Sequence, residues 1–183
     1  GTGAMAAIIG LGDRAILDAC DEANSLGVVD AVNFNAPGQV VIAGSNDAVE
    51  RAMEICKSAG AKRALPLPVS APFHTSLMKP AADNLAEMVN SVSFRAPEVP
   101  IMHNVHAQNE HDPEVIKALM LEQIYSPVKW VDCVRQLKES GASTLVECGP
   151  GKVLSGLAKR IDRELIALAT DSAADFEAAL TTI

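Results

Sequence analysis

Residues 65–76 read Leu-Pro-Leu-Pro-Val-Ser-Ala-Pro-Phe-His-Thr-Ser, an apolar, proline-rich run that delivers His74 to the start of a helical pattern. Imidazole is the side chain whose ordinary pKa lets it take and give protons near neutrality. Pro66, Pro68 and Pro72 remove backbone donors and keep the chain extended, which excludes an inner strand or a helix here. A stiff mount of this kind suits a reactive group. On its residues alone, His74 can be a general base, a metal ligand or a buried structural imidazole.

A base needs something to deprotonate. A serine nucleophile is usually presented on a strand-to-helix elbow, G-x-S-x-G. Residues 1–183 contain no such elbow: Ser45 follows Gly44 without the flanking pattern, and Ser155 falls inside a helix. Metal chemistry fares no better. His103 and His106 stand near a strand end without an H-E-x-x-H context, and solvated loop imidazoles are the simpler account. Cys20, Cys56, Cys133 and Cys148 form no C-x-x-C, which argues against a zinc knuckle or a redox pair. A Cys148–His74 hydrolase has little behind it, since nothing electropositive near Cys148 lowers the thiol pKa. No metal and no cofactor is expected. Gly149-Pro150-Gly151-Lys152 at a helix start could receive an anion on backbone N–H groups, or simply be a tight turn. Asn35 and Gln39 flank a turn, which explains Asn35 without a ligand. Asn104 ends a buried strand, where an amide needs either a structural network or a substrate.

The elements that must position these groups fall into two rhythms. Residues 4–11, 28–34, 39–44 and 61–67 read as strands, and Asp13–Asn24 and a helix ending at Gly60 lie between them. Asn35 to Gly38 carry turn chemistry; Ser45, Asn46 and Asp47 offer helix caps, with Glu50 as capping-box partner to Asp47. The order β-α-β-β-α-β is the ferredoxin-like, split βαβ unit. Beyond His74, helices are expected over 75–90, 113–123, from Pro127 through Leu137, and from the Gly149–Gly151 turn to Ile161. Strands are expected over 99–105, 144–148 and 165–169, with a short C-terminal helix. Such alternation predicts a parallel sheet faced by helices, yet the strands are few for an independent one. The fold expected is α/β: a ferredoxin-like small subdomain over residues 1–68, inserted in a larger parallel-sheet subdomain of which 69–183 is the C-terminal part.

Composition narrows the function classes. Aromatic residues make up only 3%, which leaves little to stack on nucleic-acid bases, and a net charge of −8 opposes phosphate backbones and anionic membranes. No apolar run approaches the roughly 20 residues of a membrane span, and no basic signal-peptide start is present. A cytoplasmic protein with reduced cysteines is the expectation.

Several stretches together carry a resemblance. They are Asn33-Phe34-Asn35-Ala36-Pro37-Gly38-Gln39-Val40-Val41-Ile42-Ala43-Gly44, Lys62 to Ser70, His74 with Leu77-Met78-Lys79-Pro80-Ala81, Gln123-Ile124-Tyr125-Ser126-Pro127-Val128, and Glu147 to Leu154. In that order the chain resembles the malonyl-CoA:acyl carrier protein transacylases of fatty acid synthesis over essentially its whole length. The resemblance implies an α/β-hydrolase-like subdomain carrying the ferredoxin-like insert. It also implies ping-pong transfer of malonyl from coenzyme A, through a serine ester, to the phosphopantetheine thiol of acyl carrier protein. By the same resemblance His74 is the general base, and the main-chain carbonyl of Gln123 orients it in place of a triad carboxylate. Asn35, Asn104 and Phe73 correspond to substrate-side positions, Phe73 to one that tracks malonyl preference in related modular synthases. Lys62, Arg63 and Lys79, all within twelve residues of His74, are the candidates for docking an acidic carrier protein. The G-H-S-x-G elbow, the carboxylate-binding arginine and the oxyanion loop of the family have no counterpart in residues 1–183. The expectation is a chain holding the acid–base half of the site, with the missing N-terminal segment as its partner. The alternative is a non-catalytic fragment that keeps fold and carrier-protein binding.

Overall fold

A computed structural model describes residues 3–69 and 71–183; Ser70, within the proline-rich motif, lies outside the described residues. The chain divides into two compact units, Gly1–Trp130 and Val131–Ile183.

The first unit is built on the β-α-β-β-α-β order. Its strands are β1 (Ala4–Ile9), β2 (Val29–Ala36), β3 (Gln39–Gly44) and β4 (Arg63–Pro66), with helices α1 (Asp13–Ala23) and α2 (Asn46–Ser58). They form one sheet in the order β2-β3-β1-β4, antiparallel at every pairing. The period-2 alternation of strand side chains gives each face its own core. On one face Ala6, Ile8, Val29, Val40 and Ile42 pack with Ile16, Cys20, Val49, Ala52 and Cys56 of the two helices. On the other, Met5, Val32, Val41 and Ala43 are buried with Ala7 and Leu67 against them. Burial of this kind contributes roughly 25 cal/mol per Å² of apolar surface, so the sheet is the main reservoir of stability in this unit.

Three details differ from the sequence reading. The strand β2 runs through Asn35 to Ala36, so the turn is only Pro37-Gly38, with Gly38 at φ +70° as a type II geometry needs. Shifts of register between Ala31 and Asn33 and between Phe34 and Ala36 make β2 a doubly bulged strand, and Asn35 is the extra residue of the second bulge. The capping box of α2 does not form: Ser45 is the N-cap, but its hydroxyl donates to the Val28 carbonyl at 3.3 Å.

After β4 come α3 (Lys79–Ser91), a hairpin of β5 (Ile101–His103) and β6 (Gln108–Glu110), and α4 (Pro113–Glu122). The strand expected over 99–105 is thus shorter and turns back on itself, with Ala107 at φ +56° inside the loop. The helix expected from Pro127 begins only at Trp130, as α5 (Trp130–Glu139). Val128 instead makes an isolated parallel bridge to Asn33 of β2: the Phe34 N–H donates to Val128 O at 3.0 Å, and the Val128 N–H donates to Val32 O at 2.8 Å. Pro127 biases Ser126 away from helix, which frees the segment for that pairing.

The second unit places β7 (Thr144–Glu147) parallel to β8 (Ile166–Ala169), joined by α6 (Val153–Ile161) and followed by α7 (Ala173–Thr182). The parallel β-α-β crossover is the one the alternation predicted. Among the described residues no helix is long and apolar enough to cross a membrane.

Candidate active site

His74 sits where the proline-rich segment ends, half-buried, with its backbone in the left-handed region at φ +64°. For a residue with a Cβ that conformation costs on the order of 1–2 kcal/mol, so neighbouring contacts must hold it. Two of them come from the C-terminal end of α4. The His74 N–H donates to Ile124 O at 3.2 Å, and its Nδ1 lies 2.7 Å from Gln123 O. A carbonyl oxygen only accepts, so the proton of this bond belongs to Nδ1. In the neutral ring Nε2 is then the acceptor, ready to take a proton from another group.

The carbonyl partner is a consequence of helix geometry. The last carbonyls of a helix lack intrahelical donors, and the partial negative charge there favours a developing imidazolium. Helix α4 is capped firmly at its other end, where Asp112 accepts from the N–H groups of Glu114 and Val115. At its C-terminal end the Gln123 side chain donates Nε2–H to Ser126 O at 3.0 Å, closing the turn that carries the carbonyl. Two residues past Ser126 the chain bridges to β2 at Val128, so the imidazole is tied to the sheet through a short run of backbone bonds.

The other candidates are placed as follows. Asn104 and Gln123 line one hollow of about 260 Å³ together with Met102, His103 and Leu119, and the Asn104 carbonyl accepts from Lys129 N–H at 3.1 Å. Asn35 stands on its bulge in β2, where an unpaired extra residue re-aims its side chain. Phe73, next to His74 in the chain, leaves its apolar ring 43% exposed. Lys62 precedes and Arg63 opens the edge strand β4, and Lys79 opens α3; all three are exposed, and none forms an ion pair among the described residues.

Two alternative sites dissolve. The Gly149–Lys152 turn does not present a free anion site, because the chain's own Glu147 carboxylate accepts from Leu154 N–H at 3.1 Å and Ser155 N–H at 2.8 Å. Desolvation pushes the Glu147 carboxyl upward, but these N–H groups outweigh it and hold it below the usual range. Lys152 is paired with Asp175. The His103 and His106 rings meet edge to face with centroids 6.0 Å apart, and the Gln108 N–H donates to His106 Nδ1, a hairpin arrangement with no metal geometry among the described residues. Burial, and next the neighbouring His106, lowers the His103 pKa.

With this geometry in view, comparison with known proteins is decisive for the family. Residues 1–172 match the acyl transferase domain. The chain belongs to that family. It is 53% identical over 180 residues to the malonyl CoA-acyl carrier protein transacylase of Escherichia coli K12, covering 98% of this chain and 58% of that protein. The Bacillus subtilis protein of the same name is 42% identical over 184 residues. Among solved structures, an acyl carrier protein S-malonyltransferase from Vibrio cholerae superposes with a TM-score of 0.95 at 55% identity, covering 98% of this chain and 58% of that one. A malonyl-transacylase in complex with its type II PKS acyl-carrier protein superposes with a TM-score of 0.97 at 49% identity. The chain therefore spans a little under three fifths of the length of these relatives, and its mixed α/β fold is theirs.

Sequence reasoning missed two parts of this site. Thr75, 1% exposed, follows the histidine with no motif to single it out. The Ile124 carbonyl is a backbone group and leaves no side-chain signature, although the Ser126-Pro127 pair does announce a change from helix to extended chain.

Proposed function

We propose that this chain supplies the general-base half of a malonyl-CoA:acyl carrier protein transacylase. The observation that carries the reading is the 2.7 Å contact of His74 Nδ1 with the Gln123 carbonyl, which leaves Nε2 to accept a proton. In the reaction His74 takes the proton of a serine hydroxyl as it attacks the thioester of malonyl-CoA. The thiol of coenzyme A leaves with that proton, and the malonyl serine ester then yields to the phosphopantetheine thiol of acyl carrier protein, His74 again taking and returning the proton. A carbonyl in place of a carboxylate orients the ring without setting a second negative charge beside the malonyl carboxylate.

The serine belongs to a segment beyond residues 1–183, so this chain by itself gives no transfer. The four-stranded sheet and its two helices are the ferredoxin-like insert, residues 1–68, and 69–183 form the C-terminal part of an α/β-hydrolase-like subdomain. Asn35, Asn104 and Phe73 lie on the substrate side. Lys62, Arg63 and Lys79 offer an acidic carrier protein local positive charge on a chain of net charge −8. The place of action is the cytoplasm. The test joins the chain to the serine-bearing segment and compares His74→Ala with the parent. The expected fall in malonyl transfer is about 10²–10⁴, the usual worth of a positioned base. An unchanged rate removes His74 from the chemistry, and transfer by the 183-residue chain alone refutes the missing-serine reading.

A further inference from the structure

Thr75 is the most deeply buried polar side chain among the described residues, at 1% exposure. It stands at the N-cap of the short 3-10 turn Ser76–Met78, yet its hydroxyl caps nothing in that turn. It donates backward instead, to the Pro72 carbonyl at 2.7 Å. The bond closes a loop of backbone around Phe73 and His74, the residue held at φ +64°. Pro72 is itself seated: it is buried over Gly3, the residue before β1, so closely that a Cβ on Gly3 would lie 2.6 Å from the proline Cδ. A fixed acceptor, a buried donor and a strained residue between them form one device.

We infer that Thr75 is a positioning residue for His74, its hydroxyl locking the Pro72–Thr75 turn so that the imidazole stays against the Gln123 carbonyl. The inference rests on the reading of His74 as the base, but its geometric part stands apart from catalysis. Without the hydroxyl, the Pro72 carbonyl loses its donor and the backbone at His74 can relax out of the left-handed region. The ring then leaves Gln123, and nothing selects the Nδ1–H tautomer.

The test reads that tautomer directly, by the nitrogen-15 shifts of the His74 ring in the 183-residue chain above its titration. The parent is expected to show the Nδ1–H form. Thr75→Val, which keeps the shape and removes the donor, is expected to show a mixture with the Nε2–H form. Thr75→Ser, which restores the hydroxyl, is expected to return to the parent pattern. Should Thr75→Val not fold, Gly3→Ala displaces Pro72 with the hydroxyl intact, and the same mixture is expected. In the protein completed with its serine segment, Thr75→Val should lower kcat by about 10–100-fold, as small misplacements of a catalytic group do, with KM for the acyl donor little changed. A parent-like tautomer in Thr75→Val, or in Gly3→Ala where that variant is used, overturns the inference, as does a mixture in Thr75→Ser. An absent transfer activity with the Nδ1–H form in place overturns the proposed function and leaves the positioning role standing.

Discussion

The two units hold their sheets by different means. In the first, four antiparallel strands are buried on both faces, with Ile8, Val29, Val32, Val40 and Ile42 fully enclosed. In the second, a two-stranded parallel pair leans on charge: Glu147 on the N-terminus of α6, Lys138 between Asp162 and Glu164, Lys152 on Asp175, and the Gly151 N–H on Asp171. Burial is insensitive to salt and nearly so to pH, whereas carboxylate contacts depend on both. His74 takes its partners from the better-buried unit.

The largest expected effect comes from cutting the buried sheet. Ile42→Ala removes a fully enclosed side chain from the first unit and is expected to cost about 2–5 kcal/mol, read by chemical denaturation followed through α1 and β3. A loss below about 1 kcal/mol would show that the four-stranded sheet is no better packed than the rest, against the usual cost of such a cavity.

Next is the carboxylate on α6. Glu147→Ala strips the helix of its N-terminal acceptor, and removal of a cap of this kind costs about 0.5–2 kcal/mol. Hydrogen exchange should quicken at Ser155 and Leu157 and stay unchanged at Val40 and Ile42. Equal changes in both places would mean that the two units open together.

How far these differences were legible beforehand depends on the signal each element leaves. The β-α-β-β-α-β order could be read because every element had its own stop, Gly27, Gly38, Gly44 and Gly60 among them. The hairpin β5–β6 could not: Gln108-Asn109-Glu110 has no apolar alternation, and its loop takes positive φ at Ala107 where a glycine would have betrayed it. Asn35 was misplaced into the turn because asparagine before Ala-Pro-Gly has turn chemistry, while the bulge that keeps it in β2 is set by pairing with β3. At the site, His74 could be singled out by its residue type and its proline mount. Its acceptor came only from a resemblance, because a carbonyl looks the same under every side chain. The Glu147 cap was hidden for a related reason: seven and eight residues separate it from the N–H groups it serves, far outside the local capping spacing.

Acid should divide strand β7 from strand β2 with a smaller effect and opposite signs. In the second unit, Lys138 holds Asp162 and Lys152 holds Asp175 below the ordinary carboxylate range, and the α6 N–H groups do the same for Glu147 against its desolvation. Folded values below the unfolded ones mean that this stabilisation is complete above about pH 5 and is lost as pH falls through the depressed values. In the sheet, burial raises the Asp30 carboxyl, with Asp21 adding to it, so its ionisation opposes folding and protonation relieves the strain. Exchange measured from pH 7 down to about pH 4 should therefore loosen Thr144–Glu147 first and leave Val29–Ala36 as firm or firmer, once corrected for intrinsic rates. Loosening in β2 ahead of β7 would reverse the assignment of which unit depends on its carboxylates.

The smallest effect is that of salt. The Lys138 and Lys152 ammonium groups are partly exposed, and exposed pairs contribute little because water screens them and ordering long side chains costs entropy. A lysine held by two carboxylates still loses more than a single pair when screening shortens, since both attractions weaken together. Between 0.1 M and 1 M salt the Debye length falls from about 10 Å to about 3 Å. Lys138→Met should remove most of the salt response of exchange in β8 and leave that of β3 untouched. If the variant keeps the parent's full salt response, the Asp162–Lys138–Glu164 cluster is not what makes the second unit sensitive, and the Lys152–Asp175 pair becomes the place to look.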